Sequence, residues 1–402
     1  MARDFPMPTK TGSIFETVSV FLRLGCTSFG GPVAHLGYFQ NEFVQRRRWV
    51  SEAVYADIVA LCQFLPGPAS SQVALVLGCL RSGLLGGILG WMAFTLPSAI
   101  LMIACAYGIP FIKVRNPGWL LGLKVAAVAV VAQAIWVMGR KLCPDLSRFS
   151  LMALCAVLLI LVRTAWIQPA VIAAGAIFGL LCLRTKSPAS SDPTSFAANL
   201  RLPRRLAPAS LTLFALLLAA SLLWHGENGL ADLFARFYRT GSLVFGGGHV
   251  VLPLLQAETV GPGLVSHDTF LAGYGAAQAL PGPLFTFAAF LGASIPLPYP
   301  PWFLGLWCLG SILLPSLLLI VGVMPFWSRL TGNVHAQAAL KGANAAVVGL
   351  LVAAFYDPVW KGGITSLQAG ALALASFALL QVWKVPSWAV VLLCAVAGEL
   401  FL

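Results

Sequence analysis

The chain has 402 residues, 59% hydrophobic and only 9% charged, with a formal net charge of +12. A water-soluble domain carries about 25% charged residues, so this composition excludes an ordinary aqueous fold. The basic excess lies in short loops between apolar segments, which is the inside-positive bias of membrane proteins and not a nucleic-acid surface.

The amino terminus, Met1 to Thr11, is polar and lacks a secretory or transit pattern, so the first apolar segment is expected to be retained. That segment, about 13–40, is interrupted by Phe29-Gly30-Gly31, and the next, about 53–80, by Pro66-Gly67-Pro68. Four apolar segments follow, at about 84–109, 118–139, 149–163 and 166–183. A polar Pro/Ser-rich linker, Arg184 to Pro208, leads to one unpaired apolar segment, about Ala209 to Trp224. A second series then runs through about 230–256, 268–293, 302–324, 336–356, 365–381 and 386–402. Its first two members are broken by Phe245-Gly246-Gly247 and Pro281-Gly282-Pro283.

The two series align. Phe21-Leu-Arg23-Leu-Gly25 matches Phe237-Tyr-Arg239-Thr-Gly241, and Gln63 to Pro68 matches Gln278 to Pro283. Leu96-Pro97-Ser98 matches Leu314-Pro315-Ser316, and Leu123-Lys124 matches Leu340-Lys341. Four blocks in order, at an offset of 215 to 218, describe an internal duplication. The expected organisation is a first repeat over 1–185, a cytoplasmic linker over 186–208, a connecting transmembrane helix over 209–226 and a second repeat over 227–402.

A Pro-Gly-Pro core cannot continue a helix, because each proline removes a donor and restrains its predecessor. Broken backbone is tolerated at membrane depth only where it packs in protein or lines a cavity. If the four broken elements are re-entrant hairpins and the amino terminus is cytoplasmic, sixteen basic residues fall in cytoplasmic loops and four outside. A spanning first element would instead put Arg46-Arg47-Arg48 outside, against the bias. Nine crossings result, and the lone segment inverts the second half. The expected fold is therefore an all-α polytopic membrane protein of two inverted-topology repeats with broken, re-entrant helical hairpins, with its site between the repeats near the midplane.

Four cations lie inside or at the edge of membrane elements in matching pairs, Arg23 with Arg239 and Lys124 with Lys341. Charges in such places face a cavity or a partner, or snorkel to the interface. Acidic residues are scarce there, with Glu42 and Asp57 the candidates in the first half; cations short of carboxylates beside broken helices describe an anion site. The helix starting after Pro68 offers free amides and the hydroxyls of Ser70 and Ser71, against Thr286 alone in the second half. Thr27, Ser28, Gly30 and Gly31 at one break, and Gly246 and Gly247 at the other, allow close backbone approach. Gly67 and Gly282 do so within the Pro-Gly-Pro turns. Gln63 and Gln278 sit just before these turns, as ligands or as partners of the broken backbone. His35 and His249, beside the Gly-Gly breaks, could couple protons or simply pack, and Glu42 and Asp57 are carboxylates of the same kind. The nine scattered cysteines lack metal-ligand spacing; no cofactor or metal is expected, and no Walker motif is present.

The stretch Gly25-Cys-Thr-Ser-Phe-Gly-Gly-Pro-Val-Ala-His35, with Arg46-Arg-Arg-Trp49, Leu61 to Gln72, Phe245 to His249 and Gly273 to Pro283, resembles the long-chain, two-domain form of the chromate transporter family. The resemblance implies a multi-pass protein of the bacterial inner membrane that exports chromate and confers resistance to it. It implies no enzymatic activity, chromate as substrate with sulfate as the alternative, lipid as surroundings and no nucleic acid; a homodimer is compatible with it. From the residues alone, an anion channel or a membrane enzyme acting on lipid phosphate would use similar cations.

Overall fold

The computed structural model describes residues 12–108, 118–162, 167–183, 205–224, 226, 229–244, 251–327 and 333–402, with the side chains of Pro32, Val33, Leu120 and Pro358 left aside. Among these residues the chain is helical throughout, without a strand. The protein is an all-α polytopic membrane protein. Five helices are long and apolar enough to cross a bilayer: Ala69–Gly108, Leu121–Leu142, Leu206–Leu223, Pro301–Phe326 and Val334–Gly363. Large apolar side chains such as Leu85, Leu216, Leu374 and Leu400 point outward, an exterior suited to lipid.

In chain order the helices are α1 (Ile14–Thr27), α2 (Gly31–Phe39), α3 (Glu52–Phe64), α4 (Ala69–Gly108), α5 (Gly118–Leu142), α6 (Leu146–Leu161), α7 (Ile167–Cys182) and α8 (Leu206–Leu223). The second half supplies α9 (Leu230–Leu243), α10 (Val251–Thr259), α11 (His267–Ala279), α12 (Phe287–Ser294), α13 (Pro301–Val323), α14 (Val334–Ala354), α15 (Leu367–Gln381) and α16 (Ser387–Phe401). A π-helical turn, Gln40–Arg46, extends α2. α4 changes direction at Ser82 and Gly83, where φ of Gly83 is 75°.

Three of the four breaks, at Phe29-Gly30-Gly31 and at the two Pro-Gly-Pro turns, fall where the sequence puts them, and the fourth lies outside the described residues. Ser51 and Ser266, at matching positions, cap α3 and α11 by accepting from Val54 N and Thr269 N. Both helices end on an extended leucine, Leu65 and Leu280, as the following proline demands. α1 has 14 residues and α3 has 13, so each rises about 21 Å or less, short of a hydrocarbon core of about 30 Å.

Ion pairs show how these short helices return. Glu16, at the start of α1, receives Arg47 at 3.0 Å and Arg81 at 2.9 Å. Gly12 N donates to Arg81 O at 2.9 Å, and Gln40 donates to Glu52 at 2.7 Å. The outer ends of α1, α2, α3 and the first arm of α4 therefore meet at one face, and the chain turns back between them. In the second half, Asp232 at the start of α9 and Glu258 at the end of α10 share Arg236.

The last helices are exchanged between halves. α5 packs on α15 and α16, while α14 packs on α6 and α7. Small residues permit this: β-carbons at Gly175 and Gly342 would strike the partner helix, as would those at Gly122 and Gly398. Close backbone approach of this kind is how helices associate where lipid gives no hydrophobic drive.

Candidate functional site: the hairpin crossing

The tips of the hairpins meet, and each tip belongs to a different half from the one it touches. Gly67 N donates to Val244 O at 2.7 Å, and Gly282 N donates to Ser28 O at 2.9 Å. Val244 and Ser28 are the last residues before the two Phe-Gly-Gly breaks. Each Pro-Gly-Pro turn thus satisfies the carbonyl left free by the other half's broken helix, a group that must find a partner inside the protein.

The kinked helices close the crossing. Ser98, beside Pro97 in α4, shares a hydrogen bond of 2.7 Å with Thr286, which also donates to Pro283 O at 2.7 Å. Its counterpart Ser316, beside Pro315 in α13, receives Gln72 Nε2 at 3.3 Å, and the same amide donates to Pro66 O at 2.7 Å. Gly67 and Gly282 have φ of 120° and 101°, and a β-carbon at either would overlap Gln72 Nε2 at 2.6 Å or Ser98 Cβ at 2.7 Å. Only glycine fits both the dihedral and the space.

Around the crossing, buried polar atoms lack partners among the described residues: Ser28 Oγ, His35 Nδ1, Ser71 Oγ and Gln72 Oε1, while Gln278 Nε2 has only the Tyr274 hydroxyl. Most buried polar atoms are hydrogen-bonded, so a cluster of orphans is a feature to be explained. Ser70 is buried beside them. His35 Nε2 lies 3.1 Å from Ser28 O; a carbonyl only accepts, so this nitrogen donates and the histidine helps to satisfy the break. Its ring packs edge-on against Phe94.

The four cations do not gather here, and the expectation that they lack carboxylates is corrected. Arg23, half-exposed, pairs with Glu42 at 2.6 Å, and Glu42 also holds Arg46 and Arg47. Arg239 grips Glu258 with two bonds of 2.7 and 2.6 Å and donates to Ser221 O at 2.6 Å. Lys124 Nζ lies 2.5 Å from Asp268 Oδ1. Lys341 is close enough to Asp145 to act on it electrostatically. The scarcity was real in the sequence, but few carboxylates suffice when hairpins bring distant ones into place. Glu258 was the residue missed, although it stands 216 positions after Glu42, as Arg239 does after Arg23. Gln63 is exposed, with Lys141 at 3.5 Å, and Asp57 is half-buried with no ion pair among the described residues. Gly30 and Gly31 take φ of 98° and 75° at the first break. Gly246, Gly247 and His249 lie outside the described residues.

Two cavities border the crossing hairpins. One of about 550 Å³ is lined by Arg236, Arg239, Glu258, Asp357 and the α6–α7 connection. The other, about 330 Å³, lies between Gly30, Gln133 and Gln278 and the α15–α16 loop with Lys384. Among the described residues, no group of His, Cys, Asp and Glu could hold a metal.

The family model for chromate transporters matches residues 15–180 and 231–399. A chromate transport protein of Pseudomonas aeruginosa is 29% identical over 90% of this chain and 86% of its own length. One of Cupriavidus metallidurans is 26% identical over 93% and 89%. An uncharacterized transporter of Methanocaldococcus jannaschii is 27% identical over 95% and 93%. No solved structure matches the chain. Apolar helices interrupted by Pro-Gly-Pro turns in both halves, each turn bonded to the other half, stand beside a family match over both halves: the chain belongs to the chromate transporter family.

Proposed function

We propose that the protein is a secondary transporter that exports chromate across the bacterial inner membrane and so confers resistance, with the two halves as inverted repeats. The observation that carries this reading is the crossing itself, where re-entrant tips from two halves exchange backbone bonds amid orphaned polar atoms. Hairpins shorter than the bilayer that meet tip to tip, with their charged ends apart, are what halves entering from opposite faces would form. Five crossings between them, from the second arm of α4 to α8, would give that inversion.

The positive-inside bias supports Arg46 to Arg48, the 201–205 linker and Lys384 on the cytoplasmic side. The smaller cavity then faces the cytoplasm and the larger one the outside. Binding would fall to the polar atoms at the tips, Ser28, Ser71, Gln278 and the backbone around Gly30, Gly31, Gly67 and Gly282. Arg23 and Arg239 would hold the hairpins and shape the approach, through Glu42 and Glu258. A dianion leaving a negative interior gains about 4.6 kcal/mol at roughly 100 mV, from about 2.3 per elementary charge, so export needs no proton.

Purified protein in everted vesicles tests the reading by energised uptake of chromate, with sulfate as competitor. Uptake that saturates and shows counterflow supports a carrier; flux without saturation points to an anion channel. No uptake beyond empty vesicles rejects the proposal.

A further inference from the structure

The smaller cavity differs from the larger one in charge. In the larger, Arg236 and Arg239 are met by Asp232 and Glu258, with Asp357 nearby. The smaller has Lys384 on its wall and no carboxylate among its described lining residues. Lys384 is one of two non-glycine residues with positive φ among those described, at 57°, a conformation that a lysine adopts only where its surroundings hold it. It turns the chain between α15 and α16 beside the cavity.

Two helices begin at this cavity. α2 starts behind Gly30 and α16 behind Pro386, and neither has a side-chain cap. Their first amides are unmatched within the helix, and their dipoles favour an anion. An independent observation points the same way. Gln278 lines the cavity at 5% exposure; the Tyr274 hydroxyl, one turn back in α11, takes only one of the two Nε2 hydrogens, and no other partner meets this donor among the described residues. A buried amide hydrogen without a partner is costly, and an anion would satisfy it. At about 330 Å³ the space equals that of about ten waters, enough for a tetrahedral oxyanion with part of its hydration shell.

We propose that this cavity is a capture site for a tetrahedral oxyanion on its way to the crossing, bound by Lys384, the Gln278 amide and the starts of α2 and α16. The proposal deepens the transport reading and rests on it for the direction of approach. Gln278 links the stages, since it stands three residues before Pro281 of the turn.

The test is equilibrium binding of radiolabelled chromate to purified full-length protein in detergent, with sulfate and short-chain phosphatidylglycerol as competitors. Lys384→Asn removes the charge while keeping a residue suited to positive φ; Lys384→Arg keeps the charge, and Gln278→Leu removes the orphaned donor. Lys384→Asn should weaken binding about tenfold or more, as expected for losing a charge-assisted contact. Gln278→Leu should weaken it less, Lys384→Arg should bind nearly as wild type, and sulfate should compete. Gel-filtration profiles identify any variant that has lost its fold, and the other variants then decide. Wild-type affinity in both Lys384→Asn and Gln278→Leu, with wild-type vesicles still transporting, overturns the site and leaves transport standing. Displacement by the lipid but not by sulfate makes it a headgroup site and also overturns the proposal. Absence of both binding and uptake by the wild-type protein overturns the transport reading with it.

Discussion

Gly282→Ala tests whether the crossing is built by backbone approach. At a φ of 101° a β-carbon strains the backbone by about 1–2 kcal/mol. The same carbon would lie 2.7 Å from Ser98 Cβ, and overpacking of this kind costs about 1–3 kcal/mol. Together the loss is about 2–5 kcal/mol, a large part of the 5–15 kcal/mol that holds a typical protein. Part of it would be relieved by lengthening the bond from Gly282 N to Ser28 O, now 2.9 Å, one of the contacts that join the halves. The assay is thermal unfolding of the purified protein, beside chromate uptake by everted vesicles at matched protein level. Gly282→Ala should unfold at lower temperature and lose uptake. Adding Ser98→Gly should restore the steric part and leave the dihedral part, while Ser98→Gly alone should cost about 1–2 kcal/mol, for its lost bond to Thr286 and for a glycine inside a helix. Wild-type unfolding and uptake by Gly282→Ala would refute the reasoning.

The matched ion pairs should respond unequally. Arg23→Gln leaves Glu42 with Arg46 and Arg47, whereas among the described residues Arg239→Gln leaves Glu258 only Arg236 at 3.6 Å. Stripping a largely buried carboxylate costs about 3–5 kcal/mol, so Arg239→Gln should reduce membrane abundance far more, and Arg239→Gln with Glu258→Gln should recover part of it; equal losses in a quantitative immunoblot would contradict this. Ser71→Ala removes a hydroxyl with no partner among the described residues, so stability should hold while the apparent Km for chromate rises; an unchanged Km would remove Ser71 from the site. Single cysteines at Gln45 and Gly263 should label from the cytoplasm and from outside respectively with an impermeant thiol reagent, and external labelling at position 45 would reject the re-entrant arrangement. Gly67→Leu, forced against Gln72 and Ser316, should damage transport more than Ser70→Ala, Ser71→Ala or Thr286→Ala, and the reverse order in a chromate-resistance series would place the site in side chains rather than backbone.

The described helices and the breaks at Phe29-Gly30-Gly31 and the two Pro-Gly-Pro turns were legible in the sequence because they depend on local chemistry. Proline's missing donor, glycine's permissive φ and the serine caps at Ser51 and Ser266 act within a few residues, and apolar length sets what can cross a bilayer. The duplication was legible for the same reason, since matching local signals recur at a nearly constant offset. Which groups meet is a different matter. The exchange of α5 and α14 between halves, the pairing of Arg239 with Glu258 and the bonds from Gly67 to Val244 and Gly282 to Ser28 join residues far apart in the chain. Those pairings were set by packing, because freed carbonyls and buried charges must be satisfied by whatever the folded hairpins bring within a few ångströms.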